Sequence, residues 1–256
     1  ALSCIKRKPF IFELGDLWPR SMYAVGIVKP GFLFSVMESL ELFLYRQSSC
    51  IVSLTKAFKV NLVNRNIPET KIHVVINGVD LPRYKNIDEN SQLFKNLELE
   101  KKFVVGYIGT LGMAHNLENV LSAASLMVDN KDIMFLFVGS GADKEKLEYI
   151  AQNENLKNVI FLGRKPKEII PELWNLCNIA LVHLKNEATF SEVIPSKIFE
   201  AMGMGLPILL VSPQGEASDL VEFNKCGEWV PSGDPKILSA TIQTLAADVR
   251  RLKNYS

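Results

Sequence analysis

The chain has 256 residues, 48% of them hydrophobic, so it can build one large domain or two modest ones around an ample core. Its formal net charge of +1 excludes the strongly basic balance of a typical nucleic-acid-binding protein. No apolar run approaches the ~20 residues that a helix needs to span a bilayer, so no membrane-spanning helix is expected.

The first third of the chain alternates apolar runs with helical patterns. Strands are predicted at 10–14, 50–54 and 71–76, and helices at 32–47 and 56–64. The run Asn77-Gly78-Val79-Asp80 predicts a turn of type I′ or a related type. The chain lacks an initiator Met and opens straight into a predicted strand, from which we expect a piece of a longer protein.

A regular strand–helix series follows. Strands are predicted at 103–109, 133–139, 159–162, 179–184 and 207–211, with a weak one near 228–230. Helices are predicted at 117–128, 144–153, 168–177, 197–204, 216–223 and 235–247. Apolar strands that alternate with helices predict an α/β protein whose parallel sheet is covered on both faces. We predict one domain at 1–80, a polar linker at 81–102 and a second domain at 103–256.

Two acids flank the start of a late helix in this series. Glu192 lies in a polar loop, and Glu200 lies eight positions later, inside a helix that is predicted to start near Ser196. Lys197 adds a positive charge in the first helical turn. At the carboxyl ends of a parallel sheet such a helix start suits a phosphate, and the carboxylates suit sugar hydroxyls. The alternative is a pair of solvated acids, although a capping box would put its acid at position 199, which is Phe199.

This segment resembles the E-x7-E motif of the family 4 retaining glycosyltransferases, which have the GT-B fold of two Rossmann-like domains. The resemblance extends from Phe10 to about Ala247 and implies that the first domain is incomplete. It implies that Glu192 contacts the donor sugar and Glu200 the nucleotide ribose. By the same resemblance, we assign nucleotide binding to Val193, Ile194 and Ser196 as well as to Glu200.

A glycine-rich stretch ends the first strand of the second domain. Gly109, Thr110 and Gly112 belong to it, and glycine lets a backbone approach a phosphate closely, although an ordinary turn explains the pattern equally well. In most family members an Arg and a Lys of this loop clamp the diphosphate; here Thr110 and His115 replace them. The resemblance then implies that Lys197, the helix start and the backbone N–H groups of residues 109–112 hold the diphosphate. The sequence GTLG is similar to a subgroup that makes bacterial surface polysaccharides.

Two further loops carry candidate binding residues. Gly139 opens a loop similar to the family's VGxG loop, and Asp143 at its end is predicted to cap the following helix. Arg164 follows the next strand, where the family holds the nucleotide base. It is predicted to stack on the base or to remain a solvated charge.

The segment 12–19 is similar to the family's VTVHDLWP. Gly15 stands where most members have a His beside the donor sugar. Asp16 is retained and is predicted to face the cleft between the domains, with a turn or helix cap as the alternative.

Charge and cysteine usage bear on location. Residues 1–85 carry 12 Lys/Arg and 6 Asp/Glu, against 17 and 22 in residues 86–256. This asymmetry indicates an anionic membrane or acceptor, or a chance imbalance. The apolar segment 31–45 could rest on a membrane, but we favour a core helix because amphipathic helices usually pack inward. The scattered cysteines, Cys4, Cys50, Cys177 and Cys226, predict reduced, buried thiols in a cytosolic protein.

The resemblance implies a transferase that moves a sugar from a nucleotide-diphosphate sugar, with UDP as the expected nucleotide, to a polysaccharide or lipid-linked oligosaccharide. Glu192, Lys197 and Asp16 are its predicted catalytic residues. The chain has no D-x-D and no P-loop motif, so we expect neither metal nor cofactor. We expect a cytoplasmic enzyme, in peripheral contact with the inner face of the membrane or free of it, without a nucleic acid partner. The alternatives are a GT-B nucleotide-sugar epimerase and a non-catalytic nucleotide-sugar binding domain, the latter because of Gly15, Thr110 and His115.

Overall fold

A computed structural model describes residues 2–84 and 97–255, with the side chains of Leu2 and Cys4 outside the described set. The chain divides into two compact units. The first comprises Ala1–Asn77 and Glu187–Ile194, and the second comprises Gly78–Asn186 and Pro195–Ser256. Most of the segment predicted as a linker, 81–102, lies outside the described residues.

The first unit is a small parallel sheet with helices around it. Its described strands pair in the order β1-β2-β3: β1 Ile11–Leu14, β2 Cys50–Ser53 and β3 Ile72–Val74. Its described helices are α1 Leu2–Lys6, α2 Arg20–Ala24, α3 Phe32–Gln47 and α4 Lys56–Asn64, with 3-10 turns at Glu69–Lys71 and Ala188–Glu192. Thr55 caps α4 by accepting a hydrogen bond from the Phe58 N–H, and Phe58 and Leu62 then point into the core.

Helix α3 confirms the prediction of a core helix only in part. Tyr45 belongs to the core of the first unit and Leu42 packs against it, whereas many other apolar side chains face outward, and Phe32 is 86% exposed. Its buried residues are Glu41 and Tyr45, because the Tyr45 hydroxyl donates to Glu41 at 2.6 Å and Arg65 forms an ion pair with the same carboxylate. This helix thus places a hydrogen-bonded polar network in the interior of the first unit, although Arg65 Nη1 has no partner among the described residues.

The second unit is a larger parallel sheet. Its described strands are β4 Phe103–Ile108, β5 Ile133–Val138, β6 Val159–Phe161, β7 Ile179–His183, β8 Ile208–Ser212 and β9 Gly227–Pro231. Its described helices are α5 Leu117–Ser125, α6 Lys144–Asn153, α7 Ile170–Asn175, α8 Lys197–Gly203, α9 Glu216–Phe223, α10 Pro235–Ala247 and α11 Val249–Lys253. Short 3-10 turns lie at Met113–His115 and Lys167–Ile169.

The strand order fixes where a ligand can bind in the second unit. The strands pair in the order β6-β5-β4-β7-β8-β9, and every pairing among the described residues is parallel. The order runs outward in opposite directions from β4 and β7, so the crevice at their carboxyl ends is a topological switch point. The central strands are almost wholly buried, which explains their continuous apolar sequences.

Several local predictions are wrong. The short helix α1 precedes the first strand. Neither Asn77 nor Gly78 has the positive φ that a type I′ turn requires. Asp143 stands at the start of α6, but its side chain makes no capping hydrogen bond.

The cysteine prediction holds only in part. Cys177 is buried, while Cys50 and Cys226 are half-buried free thiols. In the described part of the chain, no helix combines the length and apolar character that crossing a membrane requires.

Candidate active site

Three loops interlock at the carboxyl ends of β4, β5 and β6. The Gly139 N–H donates to the Gly163 carbonyl at 2.9 Å, and the Leu111 N–H donates to the Ser140 carbonyl at 3.0 Å. A Cβ at Gly139 would collide with the carbonyl oxygen of Gly109. Gly109 and Gly139 both have φ near +150°, at 147° and 149°. The glycines therefore allow one backbone to pass directly over another.

These interlocked loops change the prediction that the backbone N–H groups of residues 109–112 all face a diphosphate. The Gly109 N–H already donates to the Val138 carbonyl at 2.9 Å, and the Leu111 N–H donates to the Ser140 carbonyl at 3.0 Å. Within this stretch the N–H groups of Thr110 and Gly112 remain as candidate donors.

Lys197 occupies the centre of this end of the sheet. It is the first residue of α8, is only 8% exposed, and places Nζ 3.7 Å from the centroid of the Tyr107 ring. Among the described residues Nζ has no hydrogen-bond partner. Burial lowers the pKa of Lys197 to about 7, against a smaller upward effect of Glu200. An ammonium with three unused donors, facing glycine backbone, is arranged to receive an anion.

The tyrosine and the two histidines beside Lys197 are neutral. The Tyr107 hydroxyl donates to the Thr110 carbonyl at 2.7 Å, and burial raises the pKa of Tyr107 well above its ordinary value. His115 Nδ1 lies 3.1 Å from the His183 carbonyl, and His183 Nε2 lies 3.0 Å from the Asn119 amide oxygen. Burial first, and the charge of Lys197 second, lower the pKa of His115 to about 3. Burial likewise lowers the pKa of His183 to about 4, so both rings are uncharged at neutral pH.

Glu200 lies one turn further along α8 and is held from two sides. The Trp174 indole N–H donates to its carboxylate at 3.4 Å, and the Tyr84 hydroxyl also hydrogen-bonds to it. Burial first, and Glu200 second, raise the pKa of Tyr84 to about 12. Two donors fix the carboxylate in one position, which is what recognition of a ribose or sugar hydroxyl requires.

Glu192 belongs to the first unit, at the end of the 3-10 turn Ala188–Glu192. Both of its carboxylate oxygens accept from the Asn61 amide, at 3.1 and 3.3 Å. Val193 packs against the core of the first unit, and Ile194 is buried. Asp16, also in this unit, is exposed in the bend after β1.

The remaining predicted residues lie at the expected ends of elements in the second unit. Ser196 precedes α8 without forming a side-chain cap. Thr110 and Arg164 are exposed in the loops after β4 and β6, and Gly112 starts the 3-10 turn Met113–His115. The structure thus brings Lys197, Gly109, Thr110 and Gly139 to one crevice. The roles assigned to all these residues remain predictions.

Sequence reasoning missed the side chains that contact the two acids and the lysine, and also the hydrogen-bonded pair of Asn119 and His183 near Lys197. They are Asn61, Tyr84, Tyr107, Asn119, Trp174 and His183. Two of these residues could have been found from their place in the predicted strands. Tyr107 and His183 lie at or next to the carboxyl ends of β4 and β7, the strands beside the switch point, where ligands bind.

Within residues 2–84 and 97–255, no three His, Cys, Asp or Glu side chains gather as a metal-ligating group. The expectation that the chemistry needs no metal and no cofactor stays a prediction.

Comparison with known proteins bears on this arrangement. The sequence profile of the family described as "Glycosyl transferases group 1" matches residues 66–256, more than half of the chain. The chain is 25% identical, over 92% of its length, to a probable glycosyltransferase of Pseudomonas aeruginosa, WbjE. It is 23% identical, over 78% of its length, to WcaI of Escherichia coli (strain K12), which is assigned provisionally to colanic acid biosynthesis as a glycosyl transferase.

The chain spans about half the length of these relatives, 59% of WbjE and 48% of WcaI. Among solved structures it is similar to Anabaena Alr3699/HepE in complex with UDP and glucose, with a TM-score of 0.82 and 21% identity. That match covers 99% of this chain and 66% of the other. Together with the parallel sheets, it confirms the predicted α/β fold class of the GT-B type.

Proposed function

Because the chain belongs to the family of group 1 glycosyl transferases, we propose that it acts as a retaining glycosyltransferase. Its donor is a nucleotide-diphosphate sugar with uridine as the base, and its acceptor is a bacterial polysaccharide or a lipid-linked oligosaccharide. The UDP named for the HepE structure supports the nucleotide, and the colanic acid assignment of WcaI supports the acceptor.

The observation that carries the proposal is the pairing of Lys197 and Glu200 on α8. One offers a buried amino group that has no hydrogen-bond partner among the described residues, and the other a carboxylate that two donors hold in place. Both lie in the unit whose strand order creates a switch-point crevice. A nucleotide-diphosphate sugar presents the matching groups, which are a diphosphate and the hydroxyls of a ribose.

In the proposed reaction the acceptor hydroxyl attacks the anomeric carbon from the face that the diphosphate leaves. The departing diphosphate takes the hydroxyl proton, so no protein nucleophile is required. Lys197 stabilises the negative charge as it develops, because a preoriented charge in a dry site acts strongly. Glu192 orients the donor sugar and Asp16 completes the catalytic set; Glu200 orients the ribose. Ser196, Val193, Ile194 and Arg164 contact the nucleotide.

The two alternatives are separable from this proposal. An epimerase would share the architecture, but the family to which the chain belongs consists of transferases, which favours transfer. A non-catalytic binding domain is suggested by Gly15, Thr110 and His115, which replace the usual His, Arg and Lys. The position of Lys197 supports diphosphate binding despite these replacements, because its amino group lies beside the loop from which the usual Arg and Lys are missing.

We also place the enzyme at the cytoplasmic face of the membrane. Helix α3 turns Phe32, Leu33, Val36, Leu40 and Phe43 outward, and the basic Lys29 and Arg20 precede them. An exposed apolar face beside basic residues suits an anionic lipid surface that carries a lipid-linked acceptor.

Calorimetry with UDP and GDP in metal-free buffer, with transfer of sugar from a radiolabelled donor as the second readout, tests the proposal. We expect UDP to bind, Glu200→Ala to weaken that binding by about tenfold or more, and Glu192→Ala to lower turnover more than binding. Glu145→Ala, an exposed acid on α6, is the matched control.

Equal UDP affinity in the wild type and Glu200→Ala would refute the role given to Glu200. Binding of GDP alone would replace uridine by guanosine. Nucleotide binding without transfer to any acceptor extract would favour the binding-domain alternative.

A further inference from the structure

Among the described residues, the amino group of Lys197 forms no hydrogen bond and no ion pair at contact distance. A lysine ammonium has three N–H donors and is almost never fully buried unless it is paired. Here Lys197 is only 8% exposed, and its Nζ has no hydrogen-bond partner among the described residues. The Tyr107 ring, 3.7 Å away, offers partial compensation, and the charge of Glu200 adds a smaller stabilising effect without a hydrogen bond to Nζ.

In the described part of the chain, the elements that pack around this amino group supply no acid besides Glu200 that is named among its charge interactions. Glu200, on the same helix, is the nearest acid named among its charge interactions, and it accepts from Trp174 and Tyr84 rather than from Nζ. The loop after β4 offers Gly109, where a Cβ would lie 3.0 Å from Nζ. Tyr107 on β4 keeps its proton, and His115 and His183 are uncharged.

We infer that the empty site holds Lys197 as a neutral amine, and that Lys197 takes up one proton from solvent when the diphosphate of the donor binds against it. The amine lone pair accepts the proton, no bond other than this N–H bond is formed, and the resulting ammonium is neutralised by the incoming phosphates. The inference rests on the proposed function, since it needs a nucleotide-sugar to bind at this crevice.

The direction of the expected pH dependence follows from the burial of the amino group. Burial lowers the pKa of free Lys197 to about 7, and a bound dianion must raise it again. Affinity for the donor is therefore greatest below about pH 7 and falls as the pH rises above it. Between the free and bound pKa values the fall approaches about tenfold per pH unit.

Calorimetric titration of the 256-residue chain at pH 8, in HEPES and in Tris, measures the proton directly, because the two buffers differ in their heat of protonation. UDP-glucose and GDP-mannose serve as probes, since their diphosphate diesters have no group of their own that titrates near this pH. We expect uptake of about one proton per bound nucleotide-sugar.

Variants assign the proton to Lys197. Lys197→Arg carries a permanent charge, so whatever binding it retains should proceed without proton uptake. His115→Gln, the matched control, should keep the uptake of the wild type. Carbon-13 NMR of the lysine ε-carbons gives a readout that does not require any variant to bind the donor. The Lys197 resonance is identified as the one that is absent from the spectrum of Lys197→Arg. In the free wild-type protein this resonance should titrate near neutral pH, and UDP-glucose should shift it to the position of a charged lysine.

The outcomes separate the two claims. Binding of either probe with zero proton uptake overturns this inference and leaves the proposed function standing. Uptake that survives in Lys197→Arg, or a Lys197 resonance that stays charged throughout, also overturns it. Absence of binding with both probes overturns the proposed function and the inference together.

Discussion

At the scale of single residues, Lys197 costs the protein stability. A buried amino group without an ion-pair partner destabilises a fold whether it stays charged or gives up its proton, and replacing it by an apolar side chain of similar volume often stabilises the fold. We expect Lys197→Met to raise the free energy of unfolding at pH 7 by about 1–3 kcal/mol, while it weakens nucleotide binding. Urea denaturation measures the first effect, and the exposed Lys157→Met is the control.

The pH profile of the same variant tests the cause. Burial lowers the pKa of Lys197 from 10.5 to about 7, so between these values the unfolded chain binds a proton that the folded chain does not. The stability of the wild type should therefore rise as the pH increases from about 7 to about 10.5. Lys197→Met should lose this rise, and an unchanged profile in the variant would refute the assignment.

The glycines of the interlocked loops should differ in how much the fold depends on them. At Gly139 and Gly141 a Cβ would collide with the carbonyl oxygens of Gly109 and Leu111, whereas at Gly112 it would meet only the Thr110 methyl group at 3.4 Å. Gly139→Ala and Gly141→Ala should each destabilise the fold by about 2 kcal/mol or more, and Gly112→Ala by much less. Thermal unfolding of the three variants decides this, and equal losses would show that the close backbone approach is not required.

At the scale of elements, the outward face of α3 should decide membrane binding. Phe32→Glu should reduce flotation with phosphatidylglycerol vesicles by about fivefold or more, because it removes apolar area and adds repulsion. Phe223→Glu on α9 is the matched control, since both side chains are 86% exposed. Neither change should alter the unfolding temperature by more than about 2 °C.

Equal flotation of both variants and the wild type would remove α3 from membrane contact. Flotation that is lost equally in both variants would indicate nonspecific charge repulsion. Only selective loss in Phe32→Glu supports the placement.

Helices and strands were largely predictable from periodicity. The predicted bounds of α3, α4, α6, α9 and α10 coincide with those in the structure, because each has an amphipathic or strongly apolar pattern between clear breaks. Short elements such as α1, α2 and α11 were missed, since five residues do not complete two turns of a periodic pattern. The outward face of α3 was not predictable, because Glu41 is buried only through a partner 24 positions away, Arg65.

Only part of the candidate site was predictable from the sequence. The residues that lie close together in sequence, from Ser196 to Glu200, were found because motif and helix start coincide. Tyr107, Trp174 and Asn61 come from other strands and helices, and only the folded chain shows that they contact Lys197, Glu200 and Glu192. The lowered pKa of Lys197 is likewise a property of packing, because burial causes it.

At the scale of the whole molecule, the chain leaves the second unit after Asn186, contributes Glu187–Ile194 to the first, and returns at Pro195. The inserted piece contacts α2 and α4 and buries Phe190 and Ile194. It carries Glu192, so one of the two acids is supplied to the first unit from a position more than a hundred residues beyond the rest of that unit.

The insertion of residues 187–194 into the first unit affects when each unit can be completed during synthesis. Domains generally fold from the amino terminus as they emerge, but the first unit lacks its last piece until residue 194 has emerged from the ribosome. By then β4, β5, β6 and β7 of the second unit are already available to pair. The first unit therefore stays incomplete while most of the second unit emerges, and apolar surface left uncovered in such an incomplete unit favours aggregation.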